Sequence, residues 1–99
     1  MLDSLHDRVV LIGGATGGLG SAVTREFAKT EARLALTSTS AEELEELAEE
    51  LDLPEERVLI SAVDATDPES VDRLISTIVK RFDGLHVLLN TIGGWGGGK

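Results

Sequence analysis

The protein has 99 residues, 41% of them hydrophobic, which is enough for one small globular domain. Its formal net charge of −9 excludes a nucleic-acid surface, because phosphate backbones need clustered lysine and arginine. There is no cysteine, so disulfides and thiolate metal sites are excluded, and no His, Asp or Glu spacing indicates a metal site. The chain shows no signal-peptide pattern and no membrane-length apolar run, so we expect a cytoplasmic protein without a membrane partner.

The first half of the chain alternates strand and helix patterns. Residues 8–12 are predicted to be the first strand, and the apolar run at 9–12 is as expected for a central parallel strand. Residues 19–29 are predicted to be a helix, and the apolar positions expected on its buried side are Leu19, Ala22, Val23 and Phe27. A second strand is predicted at residues 33–37. This alternation is typical of strands joined by crossover helices.

The second half continues the same pattern. Ser40 with Glu43 three residues later forms a capping box, and the apolar stripe that follows is Leu44, Leu47, Ala48 and Leu51. A third strand is predicted at 57–63, and Asp67 followed by Pro68 indicates the start of a third helix. That helix is predicted to end at Asp83-Gly84, before a fourth strand at 85–90 and a glycine-rich tail at 94–99.

These elements predict an α/β protein: a Rossmann-type doubly wound parallel sheet with strand order 3-2-1-4, forming a single domain over residues 1–99. The sheet is expected to be incomplete, because the fourth strand has an open edge and the third helix is alone on its face. Two explanations remain open: an incomplete record of a longer protein, or a short protein that completes its sheet by association as a homo-oligomer. We favour the first, because the sequence ends inside a loop.

A glycine-rich turn separates the first strand from the first helix. It reads Gly13-Gly14-Ala15-Thr16-Gly17-Gly18-Leu19-Gly20. Free N–H groups at a helix N-terminus bind phosphate, and glycines let the backbone approach it. The spacing is G-x-x-x-G-x-G rather than G-x-G-x-x-G. The candidate phosphate-binding residues in this turn are Gly14, Thr16, Gly17, Gly18, Leu19 and Gly20. Ser38, Thr39, Asp64 and Asn90 end the other strands and are expected at the same edge of the sheet.

The stretch 8–93 resembles the N-terminal half of the short-chain dehydrogenase/reductase family. The family's first turn reads T-G-x-x-x-G-[IL]-G, and this chain matches it except that Gly13 replaces the threonine. The family also has an aspartate after the third strand, which Asp64 resembles. Its N-N-A-G motif after the fourth strand is matched only at the first and last positions, by Asn90 and Gly93.

The resemblance implies a role for each matched residue. The backbone around Gly18 would bind the pyrophosphate of NAD(P), and Asp64 with the Ala65 backbone would contact the adenine. Asn90 would brace the sheet beside the cofactor, and Gly93 would leave room for the nicotinamide ribose. For Asp64 a loop or capping role stays open, and for Asn90 a purely structural one.

The choice between NAD and NADP depends on the end of the second strand. An acidic residue there holds the ribose diol of NAD, whereas an arginine holds the 2′-phosphate of NADP. Residues 37–40 are Thr-Ser-Thr-Ser and supply neither. Hydroxyl groups can hydrogen-bond a phosphate without repelling it, so we favour NADP. The alternative is that these residues form only a turn and a helix cap.

Family membership implies hydride transfer between nicotinamide and a carbonyl or alcohol. In the family a tyrosine, a lysine four residues later and a serine carry the chemistry, all beyond the fourth strand. This sequence contains no tyrosine, so we assign no catalytic residue and expect the 99-residue chain to be inactive alone. His6 and His86 are expected to be structural or surface residues. The alternatives are a standalone, non-catalytic nucleotide-binding or assembly module and, less favoured, another Rossmann-type binder such as a methyltransferase.

Overall fold

The computed structural model describes residues 6–64 and 66–91. The strands are β1 (Val9–Gly13), β2 (Arg33–Ser38), β3 (Val58–Ala62) and β4 (Val87–Asn90), and the helices are α1 (Gly18–Ala28), α2 (Ala41–Leu51) and α3 (Pro68–Phe82). A 3₁₀ turn, Glu55–Arg57, precedes β3. The four strands form one parallel sheet in the order β3-β2-β1-β4, which confirms the predicted topology. Ala65, Gly93 and the tail 94–99 lie outside the described residues.

The sheet is covered on both faces, and alternate strand residues point to opposite layers. On one face α1 and α2 pack over side chains from β1 and β2 that include Ile12, Leu34 and Leu36. On the other face α3 is the one helix within residues 6–64 and 66–91, and it packs over Leu11 and Ala35 among others. The predicted distribution of helices, two on one face and one on the other, is therefore confirmed.

Two predicted helix starts are confirmed by their caps. The Ser40 hydroxyl accepts a hydrogen bond from the Glu43 N–H at 3.1 Å, and the Asp67 carboxylate accepts one from the Glu69 N–H at 3.2 Å. α3 ends as predicted at Asp83, which adopts a left-handed conformation with φ 64°. No helix within 6–64 and 66–91 is long and apolar enough to cross a membrane.

The predicted buried face of α1 is partly wrong. Leu19 is 65% exposed and Ala22 is exposed, whereas the fully packed positions are Gly20 and Thr24. Val23 and Phe27 do pack against the core. The reason is the closeness of α1 to the glycine turn, where only a residue without a side chain fits against the backbone. The helix is therefore rotated so that the Gly20–Thr24 row faces inward.

The carboxyl ends of the four strands meet at one edge of the sheet. The register places Ser61, Thr37, Gly13 and Asn90 side by side in one row across β3, β2, β1 and β4. The glycine turn and the N-terminus of α1 follow directly from this row. Ligands of open α/β sheets bind at this edge, next to the strand where the order reverses, which here is β1.

Candidate functional site

The glycine turn is held in shape by its own backbone. Gly14 has φ 72°, a conformation that favours glycine. The Gly17 N–H donates to the Gly14 carbonyl at 3.0 Å, and the Ala15 N–H donates to the carbonyl of Thr37 on β2 at 3.0 Å. The turn is therefore a fixed element attached to two strands.

Gly20 is required by packing. A Cβ at this position would lie 1.8 Å from the Gly14 carbonyl oxygen and 2.9 Å from the Thr91 hydroxyl. The first of these contacts is with backbone, which cannot move aside without unfolding the turn. Gly20 thus sets the close approach of α1 to the turn.

Gly18 is different, because no atom lies within 4 Å of the position that its Cβ would take. It is exposed, as is Leu19 beside it. The first turn of α1 has neither a side-chain cap nor an acidic residue, whereas α2 and α3 have both. The N–H groups and positive dipole end of α1 therefore face open space, an arrangement that suits an anion.

Thr91 is a contributor that the sequence analysis did not single out. Its hydroxyl lies 2.7 Å from the Gly13 carbonyl oxygen and 3.1 Å from that of Gly14, and its N–H donates to Gly13 at 3.1 Å. It joins the end of β4 to the glycine turn. It occupies the position where the family has its second asparagine, and that departure from the motif was the available signal.

Asn90 lies where the prediction placed it. It is the register partner of Gly13, and its Oδ1 is 3.7 Å from the position of a Cβ on Gly13. The side chain therefore lies over the start of the glycine turn. Gly93, predicted to border the nicotinamide ribose, lies outside the described residues.

Ser38 and Thr39 follow the end of β2 at the same edge. The Ser38 hydroxyl is buried in a local turn, where it accepts a hydrogen bond from the Ser40 N–H at 3.1 Å. Thr39 is exposed. The alternative that these residues form a turn and a helix cap thus accounts for Ser38 and Ser40. Thr39 is the residue of this stretch whose side chain is exposed.

Asp64 follows β3 and is exposed. Its Oδ1 accepts hydrogen bonds from the Thr66 hydroxyl at 2.6 Å and the Thr66 N–H at 2.9 Å. These bonds, the hydroxyl first, hold the pKa of the Asp64 carboxyl below its usual value. The group is therefore an ionised acceptor at neutral pH. Its predicted neighbour Ala65 lies outside the described residues.

Thr16 borders a polar groove between α1 and α2. The Arg25 guanidinium pairs with the Glu50 carboxylate across this groove. The pairing raises the pKa of Arg25 and lowers that of Glu50, chiefly through the hydrogen bonds between them. Thr16 is thus on the α1–α2 side of the turn, whereas Thr39 lines a cleft on the α3 side.

This cleft lies between the sheet and α3, and we call it the α3 cleft. Its volume is about 680 Å³, and it is open to solvent. Its apolar wall includes Leu11, Leu74 and Leu88, and its upper end reaches Gly14 and Thr39. The α3 cleft is therefore continuous with the edge of the sheet that carries the glycine turn.

One buried polar atom in the α3 cleft is unpaired. Thr37 is only 8% exposed, and its Oγ1 has no hydrogen-bond partner among the described residues. Such an unpaired hydroxyl costs about 1–3 kcal/mol. In the sequence analysis, Thr37 was counted among the hydroxyl-bearing residues 37–40 that could bond a 2′-phosphate. It was not included among the candidate binding residues, because a threonine in a strand gives no sign of whether its hydroxyl is paired.

The histidines have structural surroundings, as expected. The Nδ1 of His86 accepts the N–H of Val9 at 2.9 Å, at the end of the sheet opposite the glycine turn. His6 contacts Glu31 and Asp7 on the surface. Within 6–64 and 66–91 no group of His, Asp or Glu could hold a metal ion.

A Rossmann-type sheet with a glycine-rich turn at its switch point is typical of a class of nucleotide-binding proteins. A family model described as short chain dehydrogenase matches residues 8–99. The chain belongs to this family. A sulfoacetaldehyde reductase of Chromohalobacter salexigens is 39% identical over 85 residues, which is 86% of this chain and 33% of that protein.

Solved structures show the same likeness. The chain matches apo glucose dehydrogenase of Caenorhabditis elegans with a TM-score of 0.83 and 29% identity, over 91% of this chain and 39% of the other. It also matches an alcohol dehydrogenase of Thermococcus sibiricus complexed with 5-hydroxy-NADP. The TM-score is 0.74 and the identity is 32%, over 82% of this chain and 35% of the other. The chain spans about a third of the length of the first relatives it matches.

Proposed function

We propose that this chain is the dinucleotide-binding portion of a short-chain oxidoreductase that uses NAD(P). The observation that carries the proposal is the uncapped N-terminus of α1, whose first residue, Gly18, has nothing within 4 Å of its Cβ position. A helix end of this kind, at the switch point of a parallel sheet, is suited to a pyrophosphate.

The residues present fit the cofactor. Gly18 and Leu19 leave the anion site open, and Asp64 offers a carboxylate acceptor at the neighbouring strand end. The α3 cleft provides an apolar space that contains one unpaired hydroxyl. The binding roles of Ala65, Asn90 and Gly93 remain part of the proposal, as implied by the family motifs.

When bound, the nicotinamide would supply or accept a hydride, and the substrate would be a carbonyl compound or an alcohol. This chain's own residues would bind and orient the cofactor. The sequence has no tyrosine, so a proton donor of the family's kind is not among its 99 residues. We therefore expect the isolated chain to bind the cofactor weakly and to catalyse no turnover.

We also infer that NADP is accepted. Residues 37–40 at the end of β2 include no carboxylate that would repel a 2′-phosphate, and the exposed Thr39 side chain is available to bond one. Tighter binding of NADPH than of NADH would support this inference. The reverse order would overturn it without affecting the assignment of the pyrophosphate site.

A second copy of the chain is the partner that we propose for the exposed β4 edge. β4 pairs with β1 alone among the described strands, and Leu88 on β4 is 50% exposed. Ile75 and Val79 on α3 are also exposed apolar residues on this face. An edge strand beside an apolar patch favours pairing with a like edge.

The test of the pyrophosphate site is a calorimetric titration of NADPH and of inorganic pyrophosphate into wild type and Gly18→Val. The added side chain would project into the anion site, so we expect at least a roughly tenfold loss of affinity for both. Ala22→Val enlarges an exposed position on the same helix and is the matched control, expected to bind as wild type. Equal binding by the Gly18 variant and wild type, or no binding by wild type, would contradict the proposal.

A further inference from the structure

Burial of the Thr37 hydroxyl without a hydrogen-bond partner among the described residues lowers the stability of the fold. The residue is 8% exposed, and its Oγ1 has no hydrogen-bond partner in residues 6–64 and 66–91. Valine has almost the same shape and would fill the space without burying an unpaired polar group. A hydroxyl at this position therefore calls for a partner that is not among the described residues.

The location of Thr37 suggests what that partner is. Thr37 lies between Gly13 on β1 and Ser61 on β3, and its carbonyl accepts the N–H of Ala15 in the glycine turn. Its side chain lines the upper part of the α3 cleft together with Val63. The unpaired hydroxyl is thus adjacent to the proposed pyrophosphate site, on the side where β3 ends.

The chemistry of the α3 cleft restricts its ligand. Among residues 6–64 and 66–91 no charged residue lines it, so a phosphate group would be poorly stabilised there. A fully apolar ligand would leave the hydroxyl unpaired. A flat heteroaromatic ring satisfies both conditions, since its faces are apolar and its edge carries hydrogen-bonding nitrogens. A threonine hydroxyl both donates and accepts, so it can pair with either kind of edge group.

We propose that Thr37 Oγ1 is a positioning group for the purine base of the dinucleotide and bonds it inside the α3 cleft. Asp64 then lies on the exposed side of the same strand ends, and Thr37 on the buried side. The inference rests on the proposed dinucleotide function. It goes beyond that function by giving the base an anchor within the sheet.

The test compares wild type, Thr37→Val and Thr37→Ser by titration with NADPH, ADP and inorganic pyrophosphate. Loss of one hydrogen bond should weaken binding of ADP and NADPH to Thr37→Val by about three- to tenfold. Pyrophosphate, which has no base, should bind all three proteins alike. Thr37→Ser keeps the hydroxyl and should bind ADP within about twofold of wild type.

Thermal unfolding without ligand gives a second, independent measurement. Removing an unpaired buried hydroxyl should raise the Tm of Thr37→Val by roughly 4 °C or more. Thr24→Val is the matched control, because the buried Thr24 hydroxyl donates to the Gly20 carbonyl at 2.7 Å. Its Tm should stay level or fall. A more stable protein that binds the base less well is the combination that a purely structural role would not produce.

The possible failures are distinguishable. If wild type binds neither pyrophosphate nor NADPH, the proposed function fails, and this inference with it. If wild type binds both and Thr37→Val binds ADP equally well, only the role of Thr37 is overturned. If Thr37→Val loses affinity for pyrophosphate as much as for ADP, the hydroxyl acts on the glycine turn and not on the base, which also overturns the inference.

Discussion

Two glycines of the same turn have opposite reasons to be glycine. Gly20 has backbone within 1.8 Å of its Cβ position, whereas Gly18 has nothing within 4 Å. Gly20→Ala should therefore lower the free energy of unfolding by roughly 2–4 kcal/mol through overpacking. Gly18→Ala should be neutral or slightly stabilising, because alanine is the better helix former. Urea titration of both variants measures the difference.

The comparison separates folding from binding. Gly18→Ala is expected to keep its stability and to lose cofactor affinity, since its Cβ would occupy open space at the proposed anion site. Gly20→Ala is expected to lose stability first. A Gly20→Ala protein as stable as wild type would mean that α1 can move away from the turn, against the packing described above.

Asp64 has a pH dependence that follows from its neighbours. The Thr66 hydroxyl and N–H hold the pKa of its carboxyl below the usual value in the folded protein. The stabilising contribution of such a group is present above the unfolded-state pKa and is lost as pH falls through the folded-state pKa. Thr66→Val removes the hydroxyl, so the pKa of Asp64 should rise and the acid-dependent loss of stability from this group should shrink.

NMR titration of the Asp64 carboxyl carbon measures this shift directly. Thr77→Val is the matched control, because the Thr77 hydroxyl donates to the Arg73 carbonyl within α3 and has no contact with Asp64. An Asp64 pKa that is the same in Thr66→Val and wild type would show that the hydroxyl does not hold the carboxylate.

At the scale of elements, the sequence predicts best where local chemistry decides the structure. The starts of α2 and α3 follow from Ser40 and Asp67, whose side chains cap the adjacent N–H groups. The parallel sheet follows from strands alternating with helices, because crossovers between parallel strands are right-handed and short connections limit the order.

Prediction from the sequence fails where contacts between distant segments determine which side chains are buried or paired. Apolar spacing placed Leu19 inward, but the contact of Gly20 with Gly14 rotates α1 and exposes it. The same limitation hid the bond from the Thr91 hydroxyl to the turn, 77 residues away in sequence, and the lack of a partner for the Thr37 hydroxyl among the described residues, which depends on everything packed around it. The glycines of the turn were identified because their spacing is local. The contacts of the Thr37 and Thr91 hydroxyl groups were not, because they depend on segments distant in sequence.

At the scale of the whole molecule, β4 is an edge strand of the described sheet and lies beside exposed apolar residues. Leu88 is half exposed and lies in the α3 cleft with Leu11 and Leu74, near the exposed Ile75. A charged side chain on an edge strand discourages pairing with another chain. Leu88→Lys should therefore reduce self-association of the 99-residue chain with little loss of stability, because a half-exposed leucine contributes less than a buried one.

Light scattering across a concentration series tests this expectation. Wild type should show a rising average mass, and Leu88→Lys should stay at the monomer mass over the same range. Leu19→Lys is the matched control, because Leu19 is a more exposed leucine located at the glycine turn and away from β4, so its association should match that of wild type. Wild type that remains monomeric at high concentration would remove the second copy as the partner of this edge. The exposed β4 face would then have to be explained without contact between copies of this chain.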